Sequence, residues 1–280
     1  MSLHIFLAVL LAALLHASWN LLVKINLDRF LSIFLLQIVM GLAALIMLAV
    51  FPRASLACLP YAIASGILHS GYNVFLARSY RTGDLSQVYP IARGTAPLLT
   101  FAGAWIFAGE SVALAAGFGI VLLVAGIWAT SMAGKRTLKL DGATLFFALG
   151  TSVFIAAYTV VDGLGGRASG SASSYAALVF VFDALIMMMI GVVMRGPGIF
   201  AAVLPAWKNG LVGGLLSLGA YWIVIWAMTQ APIAAVAALR ESSILFVMGM
   251  SVVVLKERVT HWRIGGALLI VAGAILLRIS

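Results

Sequence analysis

Charge is what this chain has least of. Of its 280 residues only 9% are Asp, Glu, Lys or Arg, against about a quarter in a soluble domain. Acidic residues are the scarcest, eight in all. A domain of this length needs a polar exterior to remain in water. A soluble enzyme, a nucleic-acid-binding domain and a disordered chain are therefore excluded as classes. Cysteine is nearly absent too: Cys58 stands alone, which excludes an intrachain disulfide and a cysteine-based metal cluster. The four histidines, His4, His16, His69 and His261, are scattered without metal-ligand spacing. No HExxH, GxSxG or P-loop pattern occurs, and convergent acids and nucleophiles are too few to define a reaction. The chain reads as a non-enzyme with no cofactor, no metal and no nucleic-acid partner. The alternating segments of about ten residues that mark membrane β-strands are missing as well.

What is present is apolar length. Hydrophobic residues make up 64% of the chain, and its mean hydropathy is +1.17. A membrane helix needs about 20 mostly apolar residues. Ten such stretches can be marked: Leu3–Val23, Leu31–Phe51, Cys58–Arg78, Leu85–Phe107, Val112–Ser131, Gly142–Val161, Ser173–Val193, Lys208–Met228, Ile233–Leu255 and Ile264–Ile279. The predicted fold class is an all-α integral membrane protein with the lipid bilayer as its solvent. The first stretch lacks the basic residues that open a secretory signal, and it is read as a retained helix.

The net charge of +9 is read as loop charge that orients the helices. The odd-to-even connections carry Lys24 and Arg29; Arg78 and Arg81; Lys135, Arg136 and Lys139; Arg195 and Lys208; Lys256, Arg258 and Arg263. The other side carries only Arg53, Arg167 and Arg278. The positive-inside rule then predicts cytoplasmic odd-to-even loops and both termini outside.

The chain also repeats itself. At an offset of 147 positions Arg93 falls on Arg240, Glu110 on Glu257, Gly119 on Gly266 and Gly126 on Gly273, with Thr82 on Thr229 upstream. Matched ionisable residues are a stronger signal than shared Leu and Ala. The expected division is residues 1–139 and 140–280, five helices each. An odd number of crossings makes the two halves enter the membrane in opposite senses. Such inverted repeats are typical of secondary transporters, with substrate near mid-membrane between the halves.

Several stretches carry polar stripes at three- and four-residue spacing, which share one helix face. They include His16, Trp19, Asn20 and Lys24; Ser65, His69, Tyr72 and Asn73; Ser86, Tyr89, Arg93, Pro97 and Thr100; Thr151, Tyr158, Thr159 and Asp162; Tyr175 and Asp183; Ser217 and Tyr221; and Arg240, Ser243 and Ser251. Polar groups facing lipid are costly, so the stripes are expected to ring an inward cavity. For Arg93 and Arg240 two readings stand side by side. One is an anion clamp that holds a carboxylate by a forked guanidinium contact. The other is an ion pair with Asp183, Asp162 or Glu241 that fixes packing. Adjacent residues do not share a helix face, so Arg240 and Glu241 are expected to have different partners. Asp183 reads as an ammonium or proton site, or as an ion-pair partner. Asp162, before the glycine-rich Gly163–Gly166, reads mainly as a loop residue. His16 and His69 are candidates for proton coupling or for hydrogen-bonded packing. Trp19, Tyr72, Tyr89, Tyr158, Tyr221, Trp222 and Trp226 read as ring-stacking or packing groups. Pro90 and Pro97 are a candidate hinge. The glycines of the fifth and tenth stretches offer close helix contact, within a monomer or in a homodimer.

The segments His16–Lys24 (HASWNLLVK), Val88–Leu99 (VYPIARGTAPLL) with Gly109–Glu110, and Leu255–Leu276 resemble EamA-type members of the drug/metabolite transporter superfamily. The resemblance spans essentially the whole chain. It implies ten helices in two inverted five-helix halves, alternating access, and a cavity lined by helices 1, 3, 4, 6, 8 and 9. The mid-helix glutamate of small multidrug-resistance proteins is absent from the first stretch, which carries His16 and Asn20 instead. The functional expectation is a secondary exporter in a bacterial inner membrane. It would move a small polar metabolite such as an amino acid or organic anion. Arg93 would anchor the carboxylate, and Trp19, Asn20, Tyr72, Asn73 and Tyr158 would shape the pocket. A multidrug or hydrophobic-cation exporter is the alternative, ahead of a membrane enzyme or lipid scramblase.

Overall fold

Apolar stretches of this length can cross a bilayer only if every backbone polar group is satisfied internally, and a helix does this within one segment. The structure is a computed structural model that describes residues 1–23, 29–82, 85–111, 113–131, 142–255 and 260–280. Among these residues there are helices and no strand. They are α1 (Leu3–Val23), α2 (Arg29–Val50), α3 (Leu59–Thr82), α4 (Leu85–Ala108), α5 (Leu114–Ser131), α6 (Gly142–Ser169), α7 (Ala172–Arg195), the short α8 (Ile199–Val203), α9 (Trp207–Gln230), α10 (Ile233–Arg240), α11 (Ser243–Leu255) and α12 (His261–Ile279). Among the described residues nine segments are long and apolar enough to span a membrane, with α10 and α11 counted as one. α3 has the length, at 24 residues, but carries more polar side chains.

Two expectations from the sequence are corrected. The sixth stretch does not stop at Val161. α6 runs on through the glycine-rich segment to Ser169, so Asp162 lies inside a helix and not in a loop. The glycines act there as contact surfaces: Gly163 meets Ile233 and Gly165 meets the Tyr175 ring. The ninth stretch is not one helix. It is interrupted at Glu241–Ser242, where Glu241 N bonds Ala238 O at 3.0 Å and Ser242 N bonds Leu239 O at 3.0 Å. These three-residue bonds replace the α ladder in mid-span. α4 runs unbroken from Leu85 to Ala108, through Pro90 and Pro97.

Both chain ends lie on one face of the bundle. Arg278 Nη1 donates to Met1 O at 2.7 Å. On the same face Ser55 N bonds Ser169 O at 2.8 Å, joining the α2–α3 and α6–α7 connections. We call this the terminal face.

α5 and α12 pack antiparallel through paired glycines. A Cβ at Gly126 would stand 2.6 Å from Gly266 O, and one at Gly119 would stand 3.0 Å from Gly273 O. The glycine surfaces left open between monomer and dimer by the sequence are thus used within the chain, whereas Gly117 and Gly265 face open space. α3 and α6 exchange aromatics in the same manner. Phe154 seats on Gly71, and Phe75 seats on Gly150. The outer surface is apolar, with Leu11, Ile46, Trp105, Phe118 and Leu268 exposed, as a lipid-facing shell requires.

Candidate functional site

The inward stripes meet near the middle of the bundle. α4 carries Arg93 about 12 Å along its axis, at about 1.5 Å per residue, and buries it to 6% exposure. Arg240 closes α10 at 5% exposure, and Glu241 follows at 1%. One carboxylate serves both guanidiniums: Glu241 Oε2 lies 3.0 Å from Arg93 Nε, and Oε1 lies 3.7 Å from Arg240 Nη2. The expectation that Arg240 and Glu241 look to different partners is therefore corrected. The rule behind it holds for a continuous α spiral, and the chain leaves that spiral at this point. Of the pairings considered, Arg93 takes Glu241 and not Asp162 or Asp183.

α1 approaches from the other side. His16 Nε2 lies 3.3 Å from Arg93 Nη2, and Trp19 packs edge-on to His16 at 5.2 Å. Asn20 turns back to donate to His16 O at 2.8 Å. The Trp19 indole N–H is buried with no hydrogen-bond partner among the described residues.

Aromatic rings form the adjoining wall. His69 stacks on Tyr158 at 4.0 Å. Tyr72 meets Tyr158 edge-on at 5.9 Å, and Tyr221 stands 6.0 Å from Tyr158. The Arg240 guanidinium lies 5.8 Å from the Tyr221 ring centre, a cation–π distance. His69 is held by Ser65, with Nδ1 3.2 Å from its hydroxyl. Asn73 is half-buried on the same helix, and Pro97 is buried in α4. The side chains of Tyr89 and Pro90, and Lys24 and Glu257, lie outside the described residues.

Beyond Tyr221 the polar network continues to Asp162, which is fully buried. Asp162 accepts from Tyr175 Oη at 2.9 Å and from Tyr221 Oη. Asp183 sits apart from the arginines and accepts from Gln37 Nε2 of α2 at 2.6 Å. Trp222 donates to Ser173 Oγ at 3.0 Å and packs on Phe51, so it braces α7 and the α2–α3 turn.

A second charged cluster closes the terminal face. Gly109 takes a left-handed φ of 63° that ends α4 and delivers Glu110 sideways. Glu110 Oε1 accepts from Arg167 Nη2 and from the first amide of α10, Ile233 N, at 3.0 Å. Arg167 also donates to Met228 O at 2.9 Å and to Ala231 O at 3.1 Å. One ion pair thus ties the α4–α5 turn, α6, the end of α9 and the start of α10. In the sequence Arg167 reads as a loop charge, and Glu110 as a repeat marker and as part of the Gly109–Glu110 pair that carries the family resemblance. The glycine-rich run that packs α6 against α9 and α10 was the available signal.

The class these features define is a multi-pass helical membrane protein with a charged, aromatic-walled centre. Residues 142–279 match the model of the EamA-like transporter family. Through that half the chain belongs to this family, and the protein is a membrane transporter of the drug/metabolite type. One protein of known crystal structure is similar in fold, with a TM-score of 0.74 at 15% identity over 99% of this chain and 96% of that one. No curated protein matches the chain.

Proposed function

We propose that the protein is a secondary transporter that exports small polar metabolites bearing a carboxylate, amino acids or related organic anions. It would work by alternating access between two inverted five-helix repeats in a bacterial inner membrane. The observation that carries the substrate class is the convergence at the centre. Two buried guanidiniums, Arg93 of α4 and Arg240 of α10, close on the Glu241 carboxylate, and a pair of guanidiniums so placed is suited to holding a carboxylate by forked contacts. Ionisable groups this deep in a membrane bundle mark a functional site. The Tyr158, Tyr221, Tyr72 and His69 rings supply a wall for the rest of the molecule.

The glycine pairs support the inverted repeats. Gly119 meets Gly273, and Gly126 meets Gly266. At the 147-residue offset each contact is the image of the other, as a two-fold axis between antiparallel helices requires. The Glu110–Arg167 cluster supports a state closed at the terminal face.

Arg93→Ala is expected to reduce counterflow of a labelled amino acid or organic acid in proteoliposomes by at least about tenfold. That is the loss of one charge-assisted contact of about 1.5–3 kcal/mol. Expression and monodispersity should be kept. Normal carboxylate binding by the variant, or a wild-type protein stabilised by lipophilic cations and by no carboxylate, defeats the reading.

A further inference from the structure

We infer that Glu241 is a built-in occupant of the substrate's anion site, holding Arg93 and Arg240 until a ligand carboxylate displaces it. The inference rests on the carboxylate reading above and concerns what stands in the site before substrate arrives.

The repeat supplies two arginines but one acid. At the offset that superposes Arg93 on Arg240, Glu241 falls on Gly94, which packs against Trp128. Glu241 is thus an addition to the second half, and it serves the arginine of each half at once. Its hold on Arg240 is loose. The 3.7 Å separation exceeds hydrogen-bond length, and Arg240 Nε is buried with no acceptor among the described residues. A ligand carboxylate with two free oxygens can take forked contacts there that a tethered side chain does not complete.

Glu241 also stands where it can leave. It lies at the interruption between α10 and α11, so its displacement breaks no α-helical turn. The hydroxyls of Ser242 and Ser243, next along the chain, are buried with no hydrogen-bond partner among the described residues. They and the N-terminal end of α11 offer donors to a carboxylate that swings away from the arginines. The other described acids are engaged elsewhere: Asp162 by two tyrosines, Asp183 by Gln37 and Glu110 by Arg167.

An internal competitor weakens the ligand it imitates, so its removal must tighten binding. The test is a thermal-shift titration of purified full-length wild type and Glu241→Gln with L-alanine and with sodium acetate, with choline chloride as the salt control. Glu241→Gln is expected to reach half-maximal stabilisation at a concentration at least fivefold lower than wild type, from a lower ligand-free Tm. Should Glu241→Gln not be recoverable, Glu241→Asp, whose carboxylate is drawn back by one methylene, is expected to tighten binding at least twofold. A wild type that is stabilised, with variants that bind equally or more weakly, overturns the inference and makes Glu241 a packing partner only. A wild type that no carboxylate stabilises defeats the substrate class itself.

Discussion

Asp162 sits in the bundle interior with no cation within ion-pair distance among the described residues, and two phenol hydroxyls stand in for one. Tyr175 and Tyr221 reach it from α7 and α9, so three helices depend on one carboxylate. Losing one donor to a buried charged acceptor costs about 1.5–3 kcal/mol. Tyr221→Phe is therefore expected to lower the Tm of the purified protein clearly. Tyr158→Phe keeps its ring on His69 and is expected to leave the Tm near wild type. Equal effects from the two variants would argue against a structural role for the Tyr221 hydroxyl. The same reasoning separates Trp222 from its neighbours. Its indole N–H is satisfied by Ser173, whereas that of Trp19 is buried and unmet among the described residues beside the Arg93–His16 pair, which marks Trp19 as the tryptophan nearer the anion site.

At the scale of elements, close backbone approach decides where α5 and α12 meet. A Cβ at Gly126 collides with the Gly266 carbonyl, and one at Gly266 with the Gly126 carbonyl. Backbone cannot swing aside as a side chain does. Gly126→Ala and Gly266→Ala are expected to destabilise by about 1–3 kcal/mol, the range of overpacking. Gly117→Ala and Gly265→Ala point into open space and gain helix propensity, so they should be neutral or slightly stabilising. Ranking the four variants by thermal unfolding checks the packing directly. The interruption at Glu241–Ser242 belongs to the same scale. It lets one residue address two helices, which an unbroken α11 would prevent.

At the scale of the whole molecule, the Glu110–Arg167 cluster joins four elements across the terminal face. Removing either partner leaves a charge without its mate and three elements less firmly tied. The only native cysteine, Cys58, is buried, so a Cys58→Ser background suits labelling. In that background a cysteine at Asn73→Cys is expected to react poorly with an impermeant maleimide applied from the terminal face. Adding Arg167→Ala should raise that rate severalfold. An unchanged rate would mean that the cluster does not close that face.

Much of this architecture was legible without coordinates. Helix positions follow from apolar length against bilayer thickness, and the inward stripes follow from 3.6-residue periodicity. Both are local properties of the chain, and so is the coincidence of Arg93 with Arg240 at one offset. Membership of His16, Trp19, Tyr72, Tyr158, Tyr221 and both arginines in one polar centre was readable for that reason. Three matters were not local. The partner of each arginine depended on a helix break that no proline or glycine announces. The placement of Asp162 inside α6 depended on glycines that contact Ile233 and Tyr175, residues of other helices. The choice of the Gly119 and Gly126 surface over that of Gly117 depended on which face α12 covers. Composition and periodicity thus determined that this protein is a membrane bundle with a charged interior. Only the tertiary structure decided which charges meet, because ion pairing and backbone approach are set by distances between segments, and no single segment contains them.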